Sequence, residues 1–437
     1  MTLDKEIFKI SIPNIVSNIS IPLLGIVDTA LMGRMNDPAY IGAIAIGGII
    51  FNILYWGFGF LRPGTTGLTA QAFGKNDDNE IYSLLYRGLI IGVIISGILL
   101  LLHSFLDGLF FSILDGSQKV KGLASEYFHI RIWAAPAVLC LFSFRGWFFG
   151  VQNAIAPMVL TIVANILNIF FSWYFVIILE KGVAGVAYGT LIAQWLTLVL
   201  AMIIFIYRHR SKARKYFNRG VFKAQELKRF LIINRDMFIR NMGLILVFSY
   251  FTNHSSKLGD AYLATNQMLL ELFYLMSYTV DGFAYASESL VGKYLGAGQI
   301  KVVKKVIKKC LIYGLALGCV FALSYTFYGQ QLLRVLTTNQ DLINDSQPYF
   351  IWLALVGLAG ALAFVWDGVY SGATASVELR NSMLISVVAF FAVFYSLNNA
   401  YPLYSVWAGM IAFMLSRSVF QMILFNKSII ARWEQTT

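Results

Sequence analysis

The chain has 437 residues, of which 58% are hydrophobic and 13% charged, and its mean hydropathy is +0.69. A soluble domain carries about 25% charged residues, so composition excludes a soluble multidomain protein. The formal net charge of +12 suggests nucleic acid as a partner, but the cations are grouped in blocks between apolar runs, and that arrangement sets membrane topology instead.

Twelve runs have spanning length, at 7–33, 41–71, 84–113, 126–150, 156–180, 183–207, 230–254, 260–293, 303–335, 346–374, 382–400 and 403–426. About 20 apolar residues cross a bilayer as a helix. Lipid satisfies no free backbone group, so the spans are helical. The alternating ten-residue strands of a β-barrel are missing. The first run is interrupted by Asp4, Lys5, Glu6 and Lys9 and has no small-residue cleavage site. It therefore reads as a retained span rather than a signal peptide.

The two basic blocks are “RHRSKARKYFNRGVFKAQELKR” (208–229), after span six, and “KYLGAGQIKVVKKVIKK” (293–309), after span eight. With both termini in the cytoplasm, both blocks lie inside, as do Lys5, Lys9, Lys427 and Arg432. The blocks also suit anionic lipid. The expected location is the inner, cytoplasmic membrane.

The 208–229 block bisects the chain, and the halves repeat. Tyr127, Phe128, Gly146 and Gly150 match Tyr349, Phe350, Gly368 and Gly372 at an offset of 222. The same offset pairs Gly74 with Gly296 and Arg87 with Lys309. Six helices separate the repeats, so both halves share one orientation. The expectation is an all-α membrane protein with two six-helix bundles related by a pseudo-two-fold axis along the membrane normal. The bundles would be 1–207 and 230–437, joined by a basic cytoplasmic linker at 208–229. Transporters built this way bind cargo and coupling ion near the repeat interface. A duplicated channel or scaffold has the same pattern.

Charged residues inside spans are the functional candidates. “GIVDTALMGRM” (25–35) places Asp28 at the far end of an otherwise apolar run. At 1.5 Å per residue it lies about 30 Å along the first helix, in its outer half. Desolvation favours the neutral form of a carboxyl, and a group neutral in one state and ionised in another carries a proton. The alternative is an interfacial carboxylate that caps or snorkels. Pro13 and Pro22 interrupt hydrogen bonding in the same helix, and Asn14 shares a face with Asp28. Asn165, Asn168 and Ser172 form one polar stripe on span five, costly if it faces lipid. Interhelical bonding or a chamber explains it, and Thr190 on span six belongs to the same region. Tyr127 and Trp147 are candidate walls for an organic cation, although some of the aromatics form interfacial belts.

The second half carries more charge: Arg235, Asp236 and Arg240 in span seven, Gln267, Glu271, Asp281 and Glu288 in span eight, and Asp367 in span ten. Arg235 and Arg240 are the candidate counter-ions of Asp236 and Asp367, which makes a structural ion-pair network. The other reading gives the acids an ion or substrate role. Cys140, Cys310 and Cys319 lack metal or disulfide spacing and the four histidines are scattered, so neither a metal site nor a cofactor is expected. No nucleophile–base constellation marks an enzyme.

The stretches “VDTALMGRM”, “RGWFFGVQNA”, “NILNI”, “GVAGVAYGT”, “NRDMFIRN”, “DGFAYASESLVG” and “WDGVYSGAT…RNSM” together resemble the MATE (multidrug and toxic compound extrusion) family, in its DinF-like prokaryotic branch. The resemblance implies alternating-access efflux of organic cations or amphipathic drugs against inward H⁺ or Na⁺. It implies that Asp28 is the ion-coupling residue, that Pro13 is the point of first-helix bending, and that Tyr127, Asn168 and Thr190 are cavity residues. A second acid common in the family, four positions after Asn168, is here Ser172, so either Asp28, the clear in-span acid of the first half, couples alone there or acids of the second half share coupling; H⁺ is the expected ion. The expected partners are small organic cations or amphipathic drugs, the coupling ion and membrane lipid, with no nucleic acid, and the protein is expected to be a monomer. Alternatives are a lipid-linked oligosaccharide flippase, for which Arg145 is one basic residue in an otherwise neutral or acidic first bundle, and a non-transporting scaffold or channel.

Overall fold

The computed structural model describes residues 2–33, 37, 39–114, 116–216 and 223–431, and of residues 21–30, 32, 33, 213 and 426–428 only the backbone. Every regular element among the described residues is helical. They are α1 (Leu3–Gly33), α2 (Ala39–Phe58), α3 (Leu61–Gly74), α4 (Asp78–Leu101), α5 (His103–Ile113), α6 (Gln118–Arg131), α7 (Ala135–Gly150), α8 (Ile155–Trp173) and α9 (Gly182–Tyr216) in the first half. The second half holds α10 (Ala224–Lys257), α11 (Asp260–Gly296), α12 (Ile300–Leu336), α13 (Gln340–Asp345), α14 (Phe350–Gly372), α15 (Ser376–Asn398) and α16 (Pro402–Leu424). These build twelve spans, with α2–α3, α6–α7 and α13–α14 each forming one and the short α5 following α4 outside them. Among the described residues, nine contain a stretch long and apolar enough to cross a membrane. The other three are α1, α10 and α11, which hold most of the charges singled out above.

Breaks inside spans have local causes. Pro136 stands at the start of α7. Its missing N–H cannot bond the carbonyl four residues back, so the chain passes through a 3₁₀ turn at Ile132–Ala134 and Arg131 becomes the last residue of α6. The basic segment 208–229 is less of a loop than expected. α9 runs through to Tyr216, with Lys212 Nζ 3.0 Å from Asp78 Oδ2 and the Tyr82 hydroxyl 2.9 Å from His209 Nδ1.

The chain divides into two compact units, Val16–Phe230 and Met1–Ile15 with Leu231–Thr437. The division differs from a first bundle starting at residue 1, and ion pairs explain why. Asp4 Oδ1 accepts from Lys309 Nζ at 2.5 Å and the Tyr313 hydroxyl at 2.6 Å on α12. Glu6 Oε2 accepts from Lys293 Nζ at 3.0 Å and the Tyr294 hydroxyl at 2.7 Å on α11. The start of α1 is thus fastened to helices of the second half.

The hydrogen bonds from Lys309 and Tyr313 hold the Asp4 carboxyl below its ordinary value. Burial pushes Glu6 up, but the bonds from Tyr294 and Lys293 outweigh it and hold it down. A carboxyl lowered by folding stabilises the fold above its unfolded pKa, and that contribution disappears as pH falls through the folded value. Glu6→Gln is therefore expected to melt below the wild type at neutral pH, with the gap closing as pH falls below the ordinary glutamate value of 4.5. A gap that stays constant across that range in thermal unfolding contradicts this.

The repeat is visible in the packing of each unit. A Cβ on Gly146 would collide with the Arg62 carbonyl oxygen and Thr65, and one on Gly368 with the Ala284 carbonyl oxygen and Ser287. These partners obey the same offset, since 284 − 62 and 287 − 65 are both 222. Left-handed residues recur likewise, with Asn76 answered by Gly298 and Gln152 by Thr374.

Candidate functional site

Within the unit Val16–Phe230, α2, α6, α7 and α9 enclose a cavity of ≈180 Å³ lined by Tyr55, Arg131, Ala134, Val138, Leu141, Phe142, Arg145, Thr190 and Gln194. The break at Ile132–Ala134 turns Arg131 into this wall. Its guanidinium lies over the Phe51 ring at 4.5 Å and the Tyr127 ring at 5.4 Å, and Nη1 donates to the Tyr127 hydroxyl at 2.6 Å. The aromatic platform suits a cation, and here the protein's own arginine occupies it. The first bundle read as neutral or acidic apart from Arg145, but this cavity carries two arginines among its described lining residues. Arg131 escaped notice because 126–150 reads as one continuous span, and the proline break is what brings it to the cavity wall.

The polar stripe on α8 is joined to the same wall. Asn168 Nδ2 donates to Thr190 Oγ1 at 2.8 Å, and Ser172 Oγ donates to Asn168 Oδ1 at 3.4 Å. Asn165 donates to the Ser20 carbonyl at 3.1 Å and to its hydroxyl at 2.8 Å, tying α8 to the later part of α1. Gly189 of α9 packs directly on Ser172, where an added Cβ would lie 2.6 Å from Oγ. Of the residues singled out from sequence, Asn168, Ser172, Thr190 and, through Arg131, Tyr127 come together here. Trp147 does not. It is fully buried and its indole donates to the Ile81 carbonyl at 2.8 Å, which makes it core between α4, α7 and α9. Asn14 belongs to the other unit, and its amide donates to the Ile10 carbonyl of its own helix at 2.8 Å. Asp28 lies within α1, but its side chain is outside the described residues.

In the second unit, the arginines and acids pair. Asp236 is fully buried, with Oδ1 3.0 Å from Arg235 Nη2 and 2.8 Å from Arg380 Nη1, while Oδ2 accepts from Ser376 at 3.0 Å. Asp367 Oδ2 accepts from both Arg240 and Arg417, and Oδ1 accepts from Gln421 at 2.8 Å. Arg417 is fully buried, and Asp281 of α11 acts on its charge. Glu288 is buried on α11, and its backbone carbonyl lies under Gly372. Glu271 stays apart, exposed and in no ion pair or hydrogen bond among the described residues. Ser376, Arg417 and Gln421 went unnoticed in the sequence because nothing periodic marks partners on α15 and α16, and Arg380, in the “RNSM” stretch, was not paired there with an acid. No cluster of metal-binding type occurs among the described residues.

The chain is similar to known proteins. The family model MatE matches twice, at residues 13–174 and 237–398. The DNA damage-inducible protein F of Escherichia coli is 32% identical over 434 residues, covering 99% of this chain and 92% of the relative. A probable multidrug resistance protein NorM of Thermotoga maritima is 23% identical and covers 99% and 93%. The crystal structure of the Vibrio cholerae MATE transporter VcmN in the bent form superposes with a TM-score of 0.86 at 15% identity, covering 98% of this chain and 97% of that one. The double match across both repeats and the full-length relative show that the chain belongs to the MatE family of multi-pass membrane transporters and is not an enzyme.

Proposed function

We propose that the protein is a secondary active efflux antiporter of the cytoplasmic membrane, with both termini inside. It exports organic cations or amphipathic compounds in exchange for H⁺ by alternating access coupled through Asp28. The observation that supports this best is the course of α1. Asp28 and Pro13 share one continuous helix, and that helix passes from one unit to the other between Ile15 and Val16. Pro13 supplies no N–H to the carbonyl of Lys9, so α1 lacks a backbone hydrogen bond close to where it changes units. An ionised carboxyl is expensive in an apolar helix and a neutral one cheap. Proton binding at Asp28 thus alters the balance between a straight and a bent α1. A cationic cargo favours the ionised form, so proton and cargo compete. Ser172 is a hydroxyl and carries no charge change, which leaves coupling in this half to Asp28.

The test is ethidium efflux from proteoliposomes under imposed ΔpH or ΔNa⁺. The wild type is expected to respond to ΔpH, and correctly inserted Asp28→Asn to fall to the rate of protein-free liposomes. Wild-type ΔpH-driven efflux by Asp28→Asn sinks the mechanism, and drive by ΔNa⁺ alone sinks the choice of ion.

A further inference from the structure

The structure divides the lysines of the 293–309 block into two groups. Lys293 and Lys309 are engaged by Glu6 and Asp4. Lys301, Lys304, Lys305 and Lys308 are exposed and make no ion pair or hydrogen bond among the described residues. The acids whose side chains lie outside the described residues are Asp28, Asp115 and Glu434, too few to neutralise all four lysines. At i, i+3, i+4 and i+7 these lysines share one face of α12. Like charges at that spacing repel. Lys301 also stands in the first turn, where the helix dipole disfavours a cation. The stripe therefore costs the fold rather than supports it. Membrane orientation does not require it, because cations anywhere in a short loop set orientation. Nor does the repeat. The positions 222 residues earlier are Asn79, Tyr82, Ser83 and Tyr86. There the Tyr82 ring stacks on Tyr216 and its hydroxyl meets His209 Nδ1 at 2.9 Å, so the extension of α9 covers in one half a face that α12 exposes in the other.

The basic face of α12 continues as apolar surface. Ile312, Leu315, Cys319 and Leu323 extend it about four turns further, and all are exposed. We infer that this face is a docking surface for an anionic phospholipid, with the phosphate on the lysine stripe and an acyl chain along 312–323. The lengths agree: that stretch rises about 16 Å at 1.5 Å per residue, and one leaflet of a hydrocarbon core about 30 Å thick is about 15 Å deep. Lysine stems lie along apolar surface while their ammonium groups reach the head group. Four or more cations beside a membrane helix favour anionic lipid, whereas a zwitterionic head group has no net charge to offer them. The site needs only a bilayer; which leaflet supplies the lipid rests on the topology proposed above.

Cys319 supplies the probe, since it is exposed on this face while Cys140 and Cys310 are buried. The full chain is labelled there with bimane and reconstituted in phosphatidylcholine vesicles. Either phosphatidylglycerol or phosphatidylcholine, brominated in mid-chain, is then added as quencher. Half-maximal quenching by the glycerol lipid is expected at a mole fraction about fivefold or more lower than by the choline lipid, the preference that one juxtamembrane lysine supplies. Joint replacement by Lys301→Gln, Lys304→Gln, Lys305→Gln and Lys308→Gln is expected to bring the two lipids level. Quenching by the choline lipid should not change in that variant, which shows that the helix is folded and its face still meets lipid. The four changes to Arg keep the charge and should keep the preference. Equal quenching by both lipids in the wild type, or a preference that survives in the Gln variant, overturns the inference. A preference that emerges only when residues 432–437 are removed assigns the face to the chain's own terminus and overturns it as well.

Discussion

Asp367→Ala is expected to destabilise the unit Leu231–Thr437 by about 3–5 kcal/mol, the usual cost of removing one partner from a buried ion pair. Asp367 is 7% exposed and Arg417 fully buried. Both Arg417 and Arg240 place a guanidinium nitrogen on the same carboxylate oxygen, and Gln421 fills the other. The alanine removes the carboxylate and leaves Arg417 in an apolar setting, with the Met414 sulfur at 3.4 Å and the Phe413 and Phe364 faces 5.3 and 5.8 Å away. Asp367→Asn keeps acceptor oxygen and shape but not charge, so it should fall between. The double change Asp367→Leu with Arg417→Met removes the two most buried charges and leaves the less buried Arg240 to its Asn241 partner, so it is expected to recover part of the loss, because apolar replacement of a buried pair is often neutral. Thermal unfolding in detergent reads all three. If Asp367→Ala melts with the wild type, or the double change is worse than the single, the pair is not what holds α10, α14 and α16 together.

The same cluster shows which parts of the molecule the sequence discloses. Arg240 and Asp367 stood out because a charge inside an apolar span is conspicuous wherever it falls. Arg417 lies in an apolar run too, but nothing in the sequence relates it to an acid fifty residues earlier. A pairing across helices leaves no periodic trace, whereas a stripe within one helix does, which is how Asn165, Asn168 and Ser172 were found. Arg131 was hidden for another reason. Its position depends on Pro136 breaking a span that hydropathy reads as one piece. The attachment of Asp4 and Glu6 to α11 and α12 was hidden because charges at a chain end read as solvated. The twelve spans were legible because lipid permits only helices at that depth. The repeat was legible because its glycines meet backbone atoms, and backbone positions persist when side chains change.

That last point carries a second expectation. Gly146→Ala and Gly368→Ala should each destabilise the fold by about 1–3 kcal/mol or more, the range for an overpacked core, and by similar amounts. At both sites the nearest atom to the new Cβ is a carbonyl oxygen of the facing helix, Arg62 on α3 and Ala284 on α11. A side-chain end can rotate away from a methyl group, but a helix backbone moves only as a body. At Gly368 the methyl also meets Ser287 Oγ, which donates to the Ala284 carbonyl at 2.8 Å and to the Val365 carbonyl at 3.2 Å. Separating α11 from α14 there breaks a bridge as well as a contact. Small residues allow this close approach in membrane bundles, where apolar surface gains little by leaving lipid. Gly97 of α4 is the control, since a Cβ there meets nothing within 4 Å. Gly97→Ala should leave the melting temperature unchanged or slightly raised. A large loss at Gly368 with none at Gly146 in the same unfolding assay means the two halves share an offset in sequence without sharing the helix crossing it is taken to encode.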